Sequence, residues 1–245
     1  MSNVKSSRKY DRFGETIRYL TVEELQRLFD SIDRYPHKLM LQMVYELGCR
    51  VGEFVRVRLR DLNFGRSSVF FLAENTKTKQ RRTSHLPRGL MNELKSFLKA
   101  EGRLTVRDEH LKRPDEFLFH PPGRPSAHYS ENRLRQVFLL YARRSGLNRC
   151  YGADQKGRRL HELTIHSLRH SHIMHYIHIH KLPLPVVQKQ VGHKTLKATS
   201  VYLNPSEEAV AEAYEQVRPA AVHPRLAGVA QDDGDRTRQA PRAGR

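Results

Sequence analysis

The chain has 245 residues, enough for one good-sized domain or one and a half. Its 44 lysines and arginines against 26 acidic residues leave a formal net charge of +18 and a pI of about 10.2, an excess that calls for an anionic partner, nucleic acid or an anionic membrane surface. The two cysteines, Cys49 and Cys150, have no metal or redox spacing and suit a reducing cytoplasm, and no apolar run approaches the roughly 18–20 residues of a membrane span, so a soluble cytoplasmic protein with a basic, nucleic-acid-binding face is expected.

Residues 1–20 are polar and basic and are expected to form an arm. Thr21 with Glu24 fits a capping box, and Val22, Leu25 and Leu28 follow at helical spacing over residues 21–32. Pro36 stands before a second helix whose apolar stripe, Leu39, Met40, Met43, Val44 and Leu47, reads as core. Gly48 ends that helix and Arg50 starts a short basic one. Gly65 is a turn signal, Val69 to Leu72 reads as a strand, and residues 73–80 are a polar loop. Residues 81–87 form the returning strand, stopped by Pro87. A helix over residues 89–100 completes this half.

Residues 101–128 read as irregular, with a Phe-Leu-Phe run as a buried anchor. Residues 131–145 are helical, with Leu134, Val137, Phe138 and Tyr141 on one face, and the basic stretch 147–163 reads as loop. Four helical pieces follow, at 166–177, 184–192, 195–202 and 206–217. Beyond Arg218 alanine, glycine, proline, arginine and aspartate dominate, and disorder is expected. There is no internal repeat.

Four local signals carry chemistry. His166-Ser-Leu-Arg169-His170 opens a helix, and His166 and Arg169 at i, i+3 share a face that already favours an anion. Gly192-His193 follows an apolar helix, with Tyr202 nine residues later. Gly48-Cys-Arg50-Val-Gly-Glu53 repeats the i, i+3 spacing with an arginine and an acid. Lys77 and Lys79 lie at the tip of the expected hairpin. Taken singly, each has an ordinary reading: a surface ion pair, an amphipathic tyrosine, solvated lysines. The six histidines from His166 to His180 lack the glutamate of a zinc-protease motif and any cysteine, so no metal is expected.

Taken together and in this order, Arg50, the hairpin lysine, His166-x-x-Arg169, Gly192-His193 and Tyr202 resemble the catalytic domain of the tyrosine recombinases, the phage integrase and Xer group. The resemblance runs from about Thr21 to Val217. It implies a mainly α fold with a small antiparallel sheet (α+β), like that catalytic domain, over residues 21–217, between the arm and a disordered tail at 218–245. It implies a site-specific DNA recombinase, acting as integrase, resolvase or invertase through a covalent 3′-phosphotyrosyl intermediate. Tyr202 is then the nucleophile and Arg50 and Arg169 hold the phosphate oxygens. His166 handles the tyrosine proton, His193 donates to the scissile phosphate, and Lys77, with Lys79 as the alternative, protonates the leaving 5′-oxygen. Glu53 orients Arg50.

Two guanidiniums match the charge that builds on non-bridging oxygens better than point-charge lysines do. A phenol of ordinary pKa about 10 needs help to lose its proton. The covalent route keeps the phosphodiester energy, so no ATP, metal or other cofactor is expected. Double-stranded DNA is the expected partner, and the resemblance implies a homo-oligomer, four protomers on paired sites, assembled through the 206–217 helix. Only about 20 residues precede the catalytic domain, so the N-terminal DNA-clamping domain common in the family is expected to be absent. The competing functions are a DNA-binding regulator that has lost catalysis and a type IB topoisomerase.

Overall fold

The computed structural model describes residues 8–10, 16–76, 79–105, 110–147, 150–153, 159–195 and 197–200. The chain opens with a small hairpin, β1 (Arg8–Tyr10) paired antiparallel with β2 (Thr16–Arg18). Leu20 then enters the core, fully buried, its N–H donating to Ser171 Oγ at 2.8 Å. The expected arm over 1–20 therefore holds a strand pair, and its last residues belong to the packed domain. The reason is that a polar, basic composition hides a single leucine that finds a buried slot.

Helix α1 (Val22–Asp30) has the expected capping box: Thr21 Oγ1 accepts from Glu24 N at 3.2 Å, and Glu24 Oε2 accepts from Thr21 N at 2.9 Å. Its inward face is Leu25, Leu28 and Phe29, while Val22 is exposed. Helix α2 (Tyr35–Leu47) takes Pro36 into its first turn, where a missing N–H leaves nothing unpaired. The whole expected stripe from Leu39 to Leu47 is buried. Gly48 ends α2 in the left-handed region, φ +54°.

The basic helix after Arg50 is only one turn, α3 (Val51–Phe54), followed by a 3-10 turn at Leu59–Asp61. The sheet has three antiparallel strands in the order β3 (Leu62–Asn63), β4 (Ser68–Phe71), β5 (Arg82–His85). Val69 pairs with Leu62 on one side and Ser84 on the other, and Phe71 pairs with Arg82. Helix α4 (Arg88–Ala100) starts after Pro87. The irregular segment beyond it is pinned by Arg103, which donates to the carbonyls of Phe117 (2.6 Å) and Leu118 (2.9 Å). Phe117, Leu118 and Phe119 are all buried, as expected of the anchor.

Helix α5 (Glu131–Arg144) buries Leu134, Val137, Phe138 and Tyr141. The stretch read as loop at 147–163 contains instead an antiparallel pair, β6 (Cys150–Ala153) and β7 (Arg159–His161), with a register shift between Cys150 and Gly152. Three- and four-residue strands are too short for an alternation to show above the surrounding arginines. Helices α6 (Ile165–His178), α7 (Leu184–Val191) and α8 (Lys197–Ser200) follow. The core joins α1, α2, α4, α5 and the sheet to α6. The architecture is the expected one, mainly helical with a small antiparallel sheet. The expected helix at 206–217 and the expected tail at 218–245 lie outside the described residues.

Candidate active site

Two helix ends and one helix start meet around Arg169. The residue lies in the second turn of α6, 6% exposed, and its Nη1 donates both to Gly48 O at 2.6 Å and to Val191 O at 2.8 Å. The C-terminal carbonyls of α2 and α7 are thus drawn to one guanidinium, where a positive charge is favoured. Nη2 of Arg169 is buried and has no hydrogen-bond partner among the described residues. Burial, and then the charge of Arg50, lower the Arg169 pKa to about 10, with Glu53 opposing; the group stays charged at neutral pH.

Arg50 follows directly from the Gly48 turn and caps α3. Its backbone N donates to Glu53 Oε2 and its Nη1 to Glu53 Oε1, both at 3.1 Å. Glu53 is 2% exposed and receives a second arginine, Arg82, whose Nη2 reaches Oε2 at 2.7 Å. Burial raises the Glu53 carboxyl, but the hydrogen bond and charge of Arg82, then Arg50, outweigh it and hold the group below the usual carboxylate range. An acid bonded at both oxygens orients Arg50, whose side chain is 27% exposed, while leaving the rest of its guanidinium for a ligand.

His193 follows Gly192, which ends α7 at φ +71°. Its Nδ1 lies 2.8 Å from Thr199 Oγ1 on α8. When the threonine hydroxyl donates, the ring proton sits on Nε2, which is then a donor. Burial, then the charges of Arg169, Arg50, His170 and Arg82, depress the His193 pKa to about 3. His166 is exposed at the start of α6. Partial loss of water around its ring, then the charges of Arg135, Arg169 and Arg50, hold it below the ordinary histidine range, with Glu131 opposing. Both imidazoles are therefore neutral at pH 7, a state in which one ring nitrogen donates a hydrogen bond while the other is free to accept a proton.

Arg50, Arg169, His166 and His193 are thus brought to one locus. Lys79 is exposed after the 3-10 turn at Ala73–Asn75, its N–H donating to Thr76 O. Lys77 and Tyr202 lie outside the described residues. Beside the locus runs a groove of about 840 Å³, with Arg60, Arg66, Arg81, Lys189 and His193 among its walls. Four side chains went unnoticed in the sequence: Arg82, Ser84, Gln190 and Thr199. A signal existed for two of them, since Arg82 and Ser84 alternate along β5 on the same inward face. Among the described residues no three His, Cys, Asp or Glu side chains converge as a metal site, and no helix is long and apolar enough to cross a membrane. Cys49 is buried beside these groups and its thiol is pushed up to about 12, chiefly by burial, which leaves it unreactive.

Helices gathered with a small three-stranded antiparallel sheet define a fold class, the tyrosine recombinase catalytic domain. The crystal structure of XerA recombinase superposes with a TM-score of 0.60 at 19% identity, covering 82% of this chain and 64% of that one. The XerH site-specific recombinase bound to palindromic difH substrate in a post-cleavage complex gives 0.59 at 18%, covering 82% and 53%. The phage integrase family profile matches residues 18–209, and the chain belongs to that family. The tyrosine recombinase XerA of Pyrococcus furiosus is 25% identical over 202 residues, 80% of this chain and 60% of the relative. The chain thus spans about three fifths of the length of that curated relative.

Proposed function

We propose that the protein is a site-specific DNA recombinase that cuts and rejoins double-stranded DNA through Tyr202. The observation that carries this reading is the pairing of Arg169, whose buried Nη2 has no partner among the described residues, with the partly exposed Arg50 beside two neutral imidazoles. Such a set suits a tetrahedral anion with charge developing on its non-bridging oxygens. In the reaction the Tyr202 oxygen attacks phosphorus and its proton passes to His166. The bond from phosphorus to the 5′-oxygen breaks, and that oxygen takes a proton from Lys77, or from Lys79 as the alternative. His193 and the two arginines bind the non-bridging oxygens throughout. A 5′-hydroxyl of another strand reverses the sequence and releases the tyrosine. No oxidant, nucleotide or metal enters this balance.

The basic groove suits the sugar-phosphate backbone leading away from the cut. Support for DNA as the partner comes from the XerH complex; a palindrome offers the same half-site twice, which suits two copies on one duplex. Four copies on two duplexes, tied by the 206–217 helix, complete the proposal. It is tested by incubating the full chain with nicked duplexes bearing candidate sites. A covalent protein–DNA adduct that maps to Tyr202 is expected, and Tyr202→Phe should bind DNA yet form none. An adduct on another tyrosine would overturn the assignment.

A further inference from the structure

Arg82 has a place that the reaction just described does not require. It stands at the start of β5, on the return limb of the hairpin that carries Lys77 and Lys79. Its side chain is 9% exposed. The guanidinium stacks over Phe71 at 4.3 Å and spends Nη2 on Glu53 at 2.7 Å. Its Nε and Nη1 are buried with no hydrogen-bond partner among the described residues. A buried cation that leaves two donor atoms unpaired is a poor choice for stability alone, since an apolar side chain of similar size packs without that penalty.

Its neighbours give it a second use. The Glu53 carboxylate that it grips is the one that orients Arg50. On its other side lies Gly192, the residue before His193: a Cβ there would stand 2.7 Å from Arg82 Cδ and 2.8 Å from Nε. The strand is also locked to α7. Ser84 Oγ donates to Gln190 O at 2.7 Å, His85 N donates to Gln190 Oε1 at 2.9 Å, and Gln190 Nε2 donates to His85 O at 2.8 Å. One guanidinium therefore touches the support of Arg50 and the backbone leading to His193, from the strand that follows the hairpin tip.

We infer that Arg82 is a positioning residue, which sets Arg50 through Glu53 and His193 through its packing on Gly192, so that both flanks of the phosphate pocket keep one register with β5. The inference rests on the strand-transfer reading above. Lysine cannot replace it fully, because a single ammonium reaching Glu53 leaves the flat contact with Phe71 and Gly192 unfilled.

The test uses the full chain as wild type, Arg82→Gln and Arg82→Lys, each alone and combined with Glu53→Gln. Duplex affinity, melting temperature and the single-turnover rate of adduct formation are measured. Arg82→Gln is expected to keep its affinity and to lose about a hundredfold in rate, the cost of a displacement near 1 Å in a reacting site. Arg82→Lys should recover part of the rate, and Arg82→Gln should cost less in the Glu53→Gln background than on its own, since only its packing on Gly192 is then left to lose. A wild-type rate in Arg82→Gln, or losses that multiply in the double variant, overturns the inference. If the wild type forms no adduct on any duplex, the strand-transfer reading has failed, and the positioning role is decided on the protein alone. There the Arg50 Nε–H resonance should shift or broaden in Arg82→Gln and in Arg82→Lys, and an unmoved resonance in both rejects the role.

Discussion

The guanidinium of Arg169 bonds to the carbonyl of Gly48, 121 residues away in sequence and 2.6 Å away in space. With Val191 O as its second acceptor, this side chain closes α2 and α7 onto α6 before any ligand arrives. Arg169→Lys offers one ammonium where two carbonyls and a phosphate oxygen each want a donor in a fixed fork. We expect adduct formation to fall by about 10²–10³-fold, the usual cost of removing one donor from developing charge. Arg169→Lys should also melt earlier than wild type, because two carbonyl bonds are disturbed. A variant that melts normally and cleaves at the wild-type rate would remove Arg169 from the site.

Acid should destabilise the fold steeply. His172 is fully buried, stacked on Tyr176 at 4.1 Å, with neither ring nitrogen bonded among the described residues. Burial, then Arg169 and His175, depress its pKa to about 3. His193 is depressed to about 3 and His170 to about 4, burial leading in each case. Between these values and the ordinary 6.5, the unfolded chain binds protons that the folded one refuses. Stability is therefore complete above pH 6.5 and is lost as pH falls toward 3, at up to about 1.4 kcal/mol per pH unit for each such group. Urea unfolding at pH 7.5, 6.5 and 5.5 measures the slope. His172→Phe keeps a ring in the stack and should flatten it; an unchanged slope in that variant rejects the assignment to His172.

Much of this was legible in the sequence, and the exceptions have physical causes. The α2 stripe and the Thr21 capping box are local patterns of spacing, so they survive folding unchanged. Arg50 and Arg169 stand in short motifs whose spacing already places them at helix starts. Alternation along β5 puts Arg82 on the inward face with Ser84, but its role is not legible, because its partners Glu53 and Gly192 are distant in sequence. Thr199 belongs to the same group: its value comes from the neutral His193 ring 2.8 Å away. The β6–β7 pair was missed because strands of three and four residues carry almost no periodicity.

Gly192→Ala should be costly for two separable reasons. Its φ of +71° strains any residue with a Cβ by about 1–2 kcal/mol. The new methyl group also meets Arg82 at 2.7 Å. Gly146→Ala is the control, since its φ is also +71° but nothing lies within 4 Å of its Cβ position. We expect a larger drop in melting temperature for Gly192→Ala than for Gly146→Ala, and a loss of adduct formation only in the former. Equal drops would show that backbone strain alone matters at Gly192.

DNA binding should weaken steeply with salt. The groove walls carry Arg60, Arg66, Arg81 and Lys189, and the chain as a whole carries +18. Each phosphate neutralised releases about 0.9 counterions. A plot of log affinity against log salt should fall with a slope of several units, and Arg66→Ala or Lys189→Ala should each reduce that slope by about one. A flat plot rejects the groove as a phosphate track.

The acid that protonates the leaving oxygen can be assigned by separating strain from chemistry in the hairpin. Lys79 stands at φ +54°, a conformation that favours glycine, and Thr76 accepts from Gln80 N through Oγ1 and from Lys79 N through its carbonyl. Lys79→Ala therefore keeps a strained backbone, whereas Lys79→Gly removes the amine and relieves the strain together. We expect Lys79→Gly to cleave nearly as fast as wild type and to be no less stable. Lys77→Ala should be slow on an ordinary duplex. A substrate with sulfur at the 5′-bridging position should restore its rate, because a thiolate departs without a proton. Rescue of Lys79→Gly by sulfur, with Lys77→Ala unaffected by it, would transfer the role to Lys79. Loss in both variants with no rescue in either would place the proton donor outside this hairpin.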